Sequence, residues 1–195
     1  MDKLSEVITN SSLTTFGGGQ SGTWKVISII TIVGQPLELV QRIEIIKTKY
    51  LLDKTNYKWF LRGVTSNLRY TTKEENATLD KTPSVLDRPD YKYAALIPIK
   101  KSEEWWLLTQ DERRKIFEDT SRHISYSSKF LSTIARKLYH SKDIGENFDF
   151  LTWFEFAPEH SHQFDELVNY LRNTEEWKYV TREIDIRLVR DDKDK

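Results

Sequence analysis

The sequence predicts an α+β fold in which two ferredoxin-like halves, the first shortened, pack sheet to sheet into a barrel. In the C-terminal half the hydrophobic periodicity runs β-α-β-β-α-β, the element order of the ferredoxin-like unit. The N-terminal half reads as strand, helix and strand, a shortened version of the same unit. No close sequence repeat links the halves, so their pairing rests on element order.

Residues 1–22 mix Asn10-Ser11-Ser12 with Gly17-Gly18-Gly19 and predict a flexible leader. From Trp24 to Val33 the run is β-branched and apolar on both faces, as in a strand covered on two sides. Pro36 suits the first turn of a helix, and Leu39, Ile43, Ile46 and Tyr50 then form one apolar stripe. A strand follows from Tyr57 to about Leu68, and residues 73–92 read as a short helix and a connecting loop, the seam between the halves. The halves are therefore 23–92 and 93–190, with a charged tail at 191–195.

The second half opens with a strand from Ala94 to Ile99, where Pro98 argues for a sheet edge or a strand end. A helical segment spans about Glu103 to Ser125. Strands at Ser132–His140 and Phe148–Phe156 flank a turn containing Asp143 and Gly145 and can pair as a hairpin. After Pro158, Phe164, Leu167, Val168 and Leu171 share one helical face, and the helix ends near Thr174. In the last strand Ile184, Ile186 and Leu188 alternate with Asp185 and Arg187.

Composition removes several classes of function. The net charge is zero, so no field draws the chain to a polyanion, and nucleic acid is not an expected partner. No run approaches the roughly 20 apolar residues of a membrane span, and the N-terminus lacks the basic start and apolar stretch of a secretory signal. A cytoplasmic protein is expected. Cysteine is absent, which excludes disulfides, thiolate nucleophiles, iron–sulfur ligation and cysteine-zinc sites.

Four histidines remain as candidates for chemistry. On a continuous helix His123 shares a side with Ile116 and faces inward. A lone inward histidine is more often a hydrogen-bonded core group than a ligand, and the pattern alone leaves both open. His160 and His162 form an HxH pair without further ligands at a metal-site spacing, and His140 at a strand end reads as surface. Arg136 on a strand shares a face with Ile134 and Leu138, an unusual direction for a permanent cation, which must then find an anion or an ion-pair partner. Lys100-Lys101 and Trp105-Trp106 crowd a strand-to-helix junction, suited either to a flat apolar ligand with acidic edges or to a packing corner.

Several stretches together resemble the chlorite dismutase family, in its short-chain, dimeric lineage. They are Ile97-Pro98-Ile99-Lys100-Lys101, Trp105-Trp106, Ser121-Arg122-His123, Arg136-Lys137-Leu138-Tyr139-His140-Ser141, Phe148-Asp149-Phe150-Leu151-Thr152-Trp153-Phe154-Glu155 and Leu171-Arg172-Asn173-Thr174-Glu175-Glu176-Trp177. The resemblance implies a dimeric α+β barrel, a homodimer, a haem b cofactor and conversion of the small anion chlorite to chloride and dioxygen. It makes His123 the axial iron ligand, Glu176 the carboxylate bonded to that histidine and Arg136 the distal catalytic cation. Lys101, Trp105 and Ile97 become cofactor-binding residues. A coproheme decarboxylase-like enzyme of haem biosynthesis is one alternative, although such relatives lack the distal arginine. A non-enzymatic haem sensor or carrier is another, needing the histidine but not Arg136.

Overall fold

A computed structural model describes residues 13–46, 56–65, 71–75 and 85–191. Its strands are β1 (Leu13–Gly19), β2 (Trp24–Val33), β3 (Arg42–Ile46), β4 (Tyr57–Thr65), β5 (Tyr93–Lys101), β6 (Ile134–His140), β7 (Phe150–Phe156) and β8 (Val180–Arg190). They close into an antiparallel barrel in the order β1-β3-β2-β8-β5-β7-β6-β4. This is the predicted α+β barrel. Inward positions alternate along each strand, so Phe16, Trp24, Ile43, Leu96, Trp153, Ile184, Ile186 and Leu188 fill the interior. Burying each such side chain contributes about 1.5–3 kcal/mol.

A second apolar layer lies outside the sheet. Ala95, Ile97, Phe154 and Phe156 on the outer faces of β5 and β7 meet Phe164, Leu167, Val168 and Leu171 of a long helix, Ser161–Arg172. That helix and the β6–β7 hairpin, with Gly145 at φ 78° in its turn, match the sequence expectations.

The N-terminal half departs from them. Leu13–Gly19 is a strand paired on both sides, with β3 and β4, and so is not part of a loose leader; residues 1–12 lie outside the described residues. The glycines are used for close approach: a Cβ on Gly18 would sit 2.3 Å from the Trp59 indole, and one on Gly17 would sit 2.7 Å from the Tyr57 ring. The helix predicted from Pro36 is instead an irregular segment leading into β3, where Ile43 pairs with β1 and β2. Pairing of the β-branched Ile43 and Ile45–Ile46 across the sheet overrides the helical spacing, and Leu39, part of the expected stripe, is 67% exposed. The last residue of that stripe, Tyr50, lies outside the described residues.

Other differences have local causes. β2 is not covered on two sides within the chain, since Ile27, Ile30, Ile32 and Val33 are exposed on its outer face. Its ladder to β8 skips Ile27 and Ile32 at two irregularities. Pro98 occupies a central strand rather than an edge, tolerated because the β5–β8 ladder has no bonded pair at Ile97 or Pro98 although its register runs on unchanged from Leu96 to Ile99. The helical segment 103–125 is broken into α1 (Glu103–Leu107), α2 (Gln110–Arg114), a π-helical turn (Lys115–Thr120) and α3 (His123–Ser127). Ser102 caps α1, Glu112 accepts from the backbone N–H and hydroxyl of Thr109 to start α2, and Arg122 at φ 52° ends the π turn. The long helix Ser161–Arg172 is α4.

The polar side of β8 is buried too. Asp185 accepts hydrogen bonds from Arg187 Nε at 2.5 Å and from Arg172 Nη2 of α4 at 2.8 Å, which locks α4 to the sheet. Burial alone would raise the Asp185 pKa, but the two guanidinium groups hold it below the ordinary 3.8. Asp185→Asn should cost about 3 kcal/mol at neutral pH, because two part-buried guanidinium groups lose the buried carboxylate they share. A depressed folded-state pKa stabilises above the unfolded value and loses that contribution as pH falls through the lower one. The gap between wild type and variant in urea denaturation should therefore hold above pH 3.8 and close below it. Equal stability at pH 7 would contradict this.

Candidate functional site

The outer face of the C-terminal sheet forms one wall of a deep cavity. On β6, alternation turns Ile134, Arg136, Leu138 and His140 towards it, and on β5 it turns Ile97, Ile99 and Lys101 the same way. The facing wall comes from α3 and α4, with His123 at the first position of α3 and Leu167 and Leu171 on α4. The cavity has an empty volume of about 1230 Å³ with its open mouth included.

All six residues singled out in the sequence meet at this cavity or directly behind it: His123, Arg136, Glu176, Lys101, Trp105 and Ile97. They come from β5, β6, α1, α3 and the 3₁₀ turn Glu176–Tyr179. His160 and His162 stand apart at the start of α4, and no metal-ligand cluster occurs among the described residues.

The centre of the site is a buried carboxylate with two partners. His123 Nδ1 lies 2.7 Å from Glu176 Oε2, and Lys101 Nζ donates to Glu176 Oε1 at 2.8 Å. Burial alone would raise the Glu176 pKa; Lys101 and His123 outweigh it and bring the group to about 2. An ionised carboxylate only accepts, so Nδ1 is the donor, and in the neutral imidazole the lone pair is on Nε2. The ammonium of Lys101 also lies 4.6 Å from the Trp105 ring centroid and 5.3 Å from that of Trp177. Its backbone N–H donates to Asp149 Oδ2 at 2.7 Å, and the same oxygen accepts from Trp106 Nε1.

Arg136 is part-buried in the cavity wall, and desolvation lowers its guanidinium pKa. It stays a cation, because arginine is not deprotonated in proteins. Its neighbours on the sheet wall are apolar, so an anion entering the cavity meets a charge that little water screens.

His140 corrects its sequence reading. It is 3% exposed and lines the cavity, edge-on to Phe150 at 5.1 Å between ring centroids. Its parity with Arg136 on an alternating strand is the signal that places it there. Phe117 was also not singled out, yet its ring lies 4.3 Å from the His123 imidazole and within 19° of parallel. Asp149 sits inside a quoted stretch, but nothing in its spacing marks it as the tie between β5 and Trp106.

The chlorite dismutase family model matches residues 26–190. Among solved structures, the dimeric chlorite dismutase from Nitrobacter winogradskyi is 51% identical, with a TM-score of 0.84, and the alignment covers 91% of this chain and 99% of that one. A variant of the chlorite dismutase from Candidatus Nitrospira defluvii, crystallised in complex with cyanide, has a TM-score of 0.67 at 19% identity over 94% and 92% of the two chains, a likeness of fold alone. The chlorite dismutase of Ideonella dechloratans is 37% identical over 99 residues, which is 49% of this chain and only 33% of that relative's length. A match over nearly the whole barrel, both walls of the cavity included, places this chain in the chlorite dismutase family.

Proposed function

We propose that the protein binds haem b in this cavity and converts chlorite to chloride and dioxygen, both oxygen atoms of the product coming from one chlorite ion. The observation that carries the reading is the placement of His123, backed by ionised Glu176, on the helical wall of the same cavity whose sheet wall presents Arg136. The residues fit the cofactor. The walls offer flat apolar contact through Ile97, Ile134, Leu138, Phe150 and Phe154, and the Nε2 lone pair of His123 is a suitable iron ligand.

Haem, when bound, supplies the redox chemistry for Cl–O cleavage and O–O bond formation. His123 contributes an imidazole whose tautomer and ring angle are set by Glu176, which makes it a more basic ligand. Lys101 neutralises part of the Glu176 charge and keeps the carboxylate oriented. Arg136 holds the chlorite anion, and then the hypochlorite fragment, by charge-assisted hydrogen bonds, so that the second oxygen is delivered before the fragment escapes. The apolar wall excludes water that would otherwise screen that contact.

A homodimer is part of the same reading. β2 carries a row of exposed isoleucines on a sheet face that α4 covers elsewhere in the barrel, and the 51% identical relative is dimeric. A second copy laid across β2 would bury the row.

Three outcomes follow. Arg136→Ala keeps its haem but loses on the order of a hundredfold in oxygen evolution from chlorite and releases hypochlorite to a chemical trap; full oxygen yield on an oxygen electrode would refute the role. His123→Ala purifies without the five-coordinate ferric spectrum of the wild type, and retention of that spectrum removes His123 as the ligand. Ile27→Lys with Ile30→Lys sediments as a monomer with its haem spectrum intact; an unchanged dimer would move the interface elsewhere.

A further inference from the structure

The helix that carries His123 begins in an unusual way. Its N-cap, Arg122, sits at φ 52° in the left-handed region and makes no side-chain cap. A carboxylate from the preceding π turn does the capping instead. Glu118 Oε2 accepts from Ile124 N–H at 2.6 Å, and Oε1 accepts from Ser125 N–H at 3.1 Å. The first free amides of α3 are thereby satisfied by a residue five positions before His123 rather than by the cap position itself.

The same turn reaches both members of the His123–Glu176 pair. Phe117 stacks on the imidazole face at 4.3 Å and 19°. Ser121, 2% exposed, accepts from Glu176 N–H through Oγ at 3.0 Å and from the Tyr170 hydroxyl through its carbonyl at 3.2 Å. The backbone of 116–122 is held by Ser121 N–H to Ile116 O at 3.1 Å and Arg122 N–H to Glu118 O at 2.9 Å. A π turn carries an extra residue relative to an α turn, and that offset brings Phe117, Glu118 and Ser121 to bear on one point.

We propose that the segment Phe117–Ser121 is the positioning frame of the His123–Glu176 pair. Phe117 sets the plane of the imidazole, Glu118 sets the start of the helix that carries it, and Ser121 sets the backbone of its carboxylate partner. Of the three, only Phe117 lines the cavity. An imidazole bonded at Nδ1 alone can still swing about that bond, and the stacked ring on its face removes this freedom. The inference rests on the reading of His123 as the axial ligand.

The test compares haem-loaded Phe117→Leu, Phe117→Tyr and Glu118→Ala proteins by resonance Raman spectroscopy of the iron–histidine stretch and by the rate of haem transfer to apomyoglobin. Phe117→Leu, which keeps bulk but loses the stack, should broaden and shift the stretch and speed haem loss roughly tenfold. Phe117→Tyr, which keeps the stack, should match wild type. Glu118→Ala should do as Phe117→Leu does, and in the haem-free protein it should broaden the downfield Nδ1 proton resonance of His123 at unchanged secondary structure by circular dichroism. Wild-type stretch and transfer rate in both Phe117→Leu and Glu118→Ala overturn the proposal. If His123→Ala still shows the iron–histidine stretch, the ligand assignment fails instead, and the two failures are distinct.

Discussion

The site depends on a carboxylate that has almost no access to water. Glu176 is 4% exposed and would be neutral if buried alone, yet it is held ionised by an ammonium on one oxygen and an imidazole N–H on the other. Each partner is fixed in turn by something else: Lys101 by Asp149 at its backbone and by aromatic rings around its ammonium, His123 by the helix start and the ring on its face. Removing Glu176 or Lys101 leaves a buried charge without its complement. The arrangement is therefore rigid as a unit rather than as separate contacts.

The barrel makes this unit possible by burying both faces of its C-terminal sheet. Inward side chains close the interior, and the outward ones meet α3 and α4, so the space between sheet and helices is shielded from solvent without being filled. The N-terminal strands complete the ring and carry no comparable outer layer among the described residues. Chemistry and support are thus divided between the two arcs of one sheet.

Legibility in the sequence followed the range of the interactions. The C-terminal strands and α4 were readable because their apolar periods are local, as in Ile184, Ile186 and Leu188. β3 was not, since Leu39, Ile43 and Ile46 satisfy helical spacing, and only pairing with β1 and β2 decides the matter. Arg122 gives no sign of its left-handed backbone, because no glycine or asparagine stands there; the break in the helix and the grouping of Phe117, Glu118 and Ser121 were invisible for that reason. Arg136 was legible from strand parity, and the same parity applied to His140 would have placed it on the cavity. Glu176, 53 residues from its histidine, came from resemblance alone, since no period links them.

β1 bears on how the chain can be shortened. It pairs along its length with β4 and with β3, and its Gly17 and Gly18 admit the aromatic rings of Tyr57 and Trp59. Trimming the polypeptide to residue 23 would strip both neighbours of their hydrogen-bonding partner at once, turning a ring without ends into an open ribbon with two raw margins. Such margins recruit strands from other molecules, so the shortened product would be lost to aggregation although every residue lining the cavity was still present.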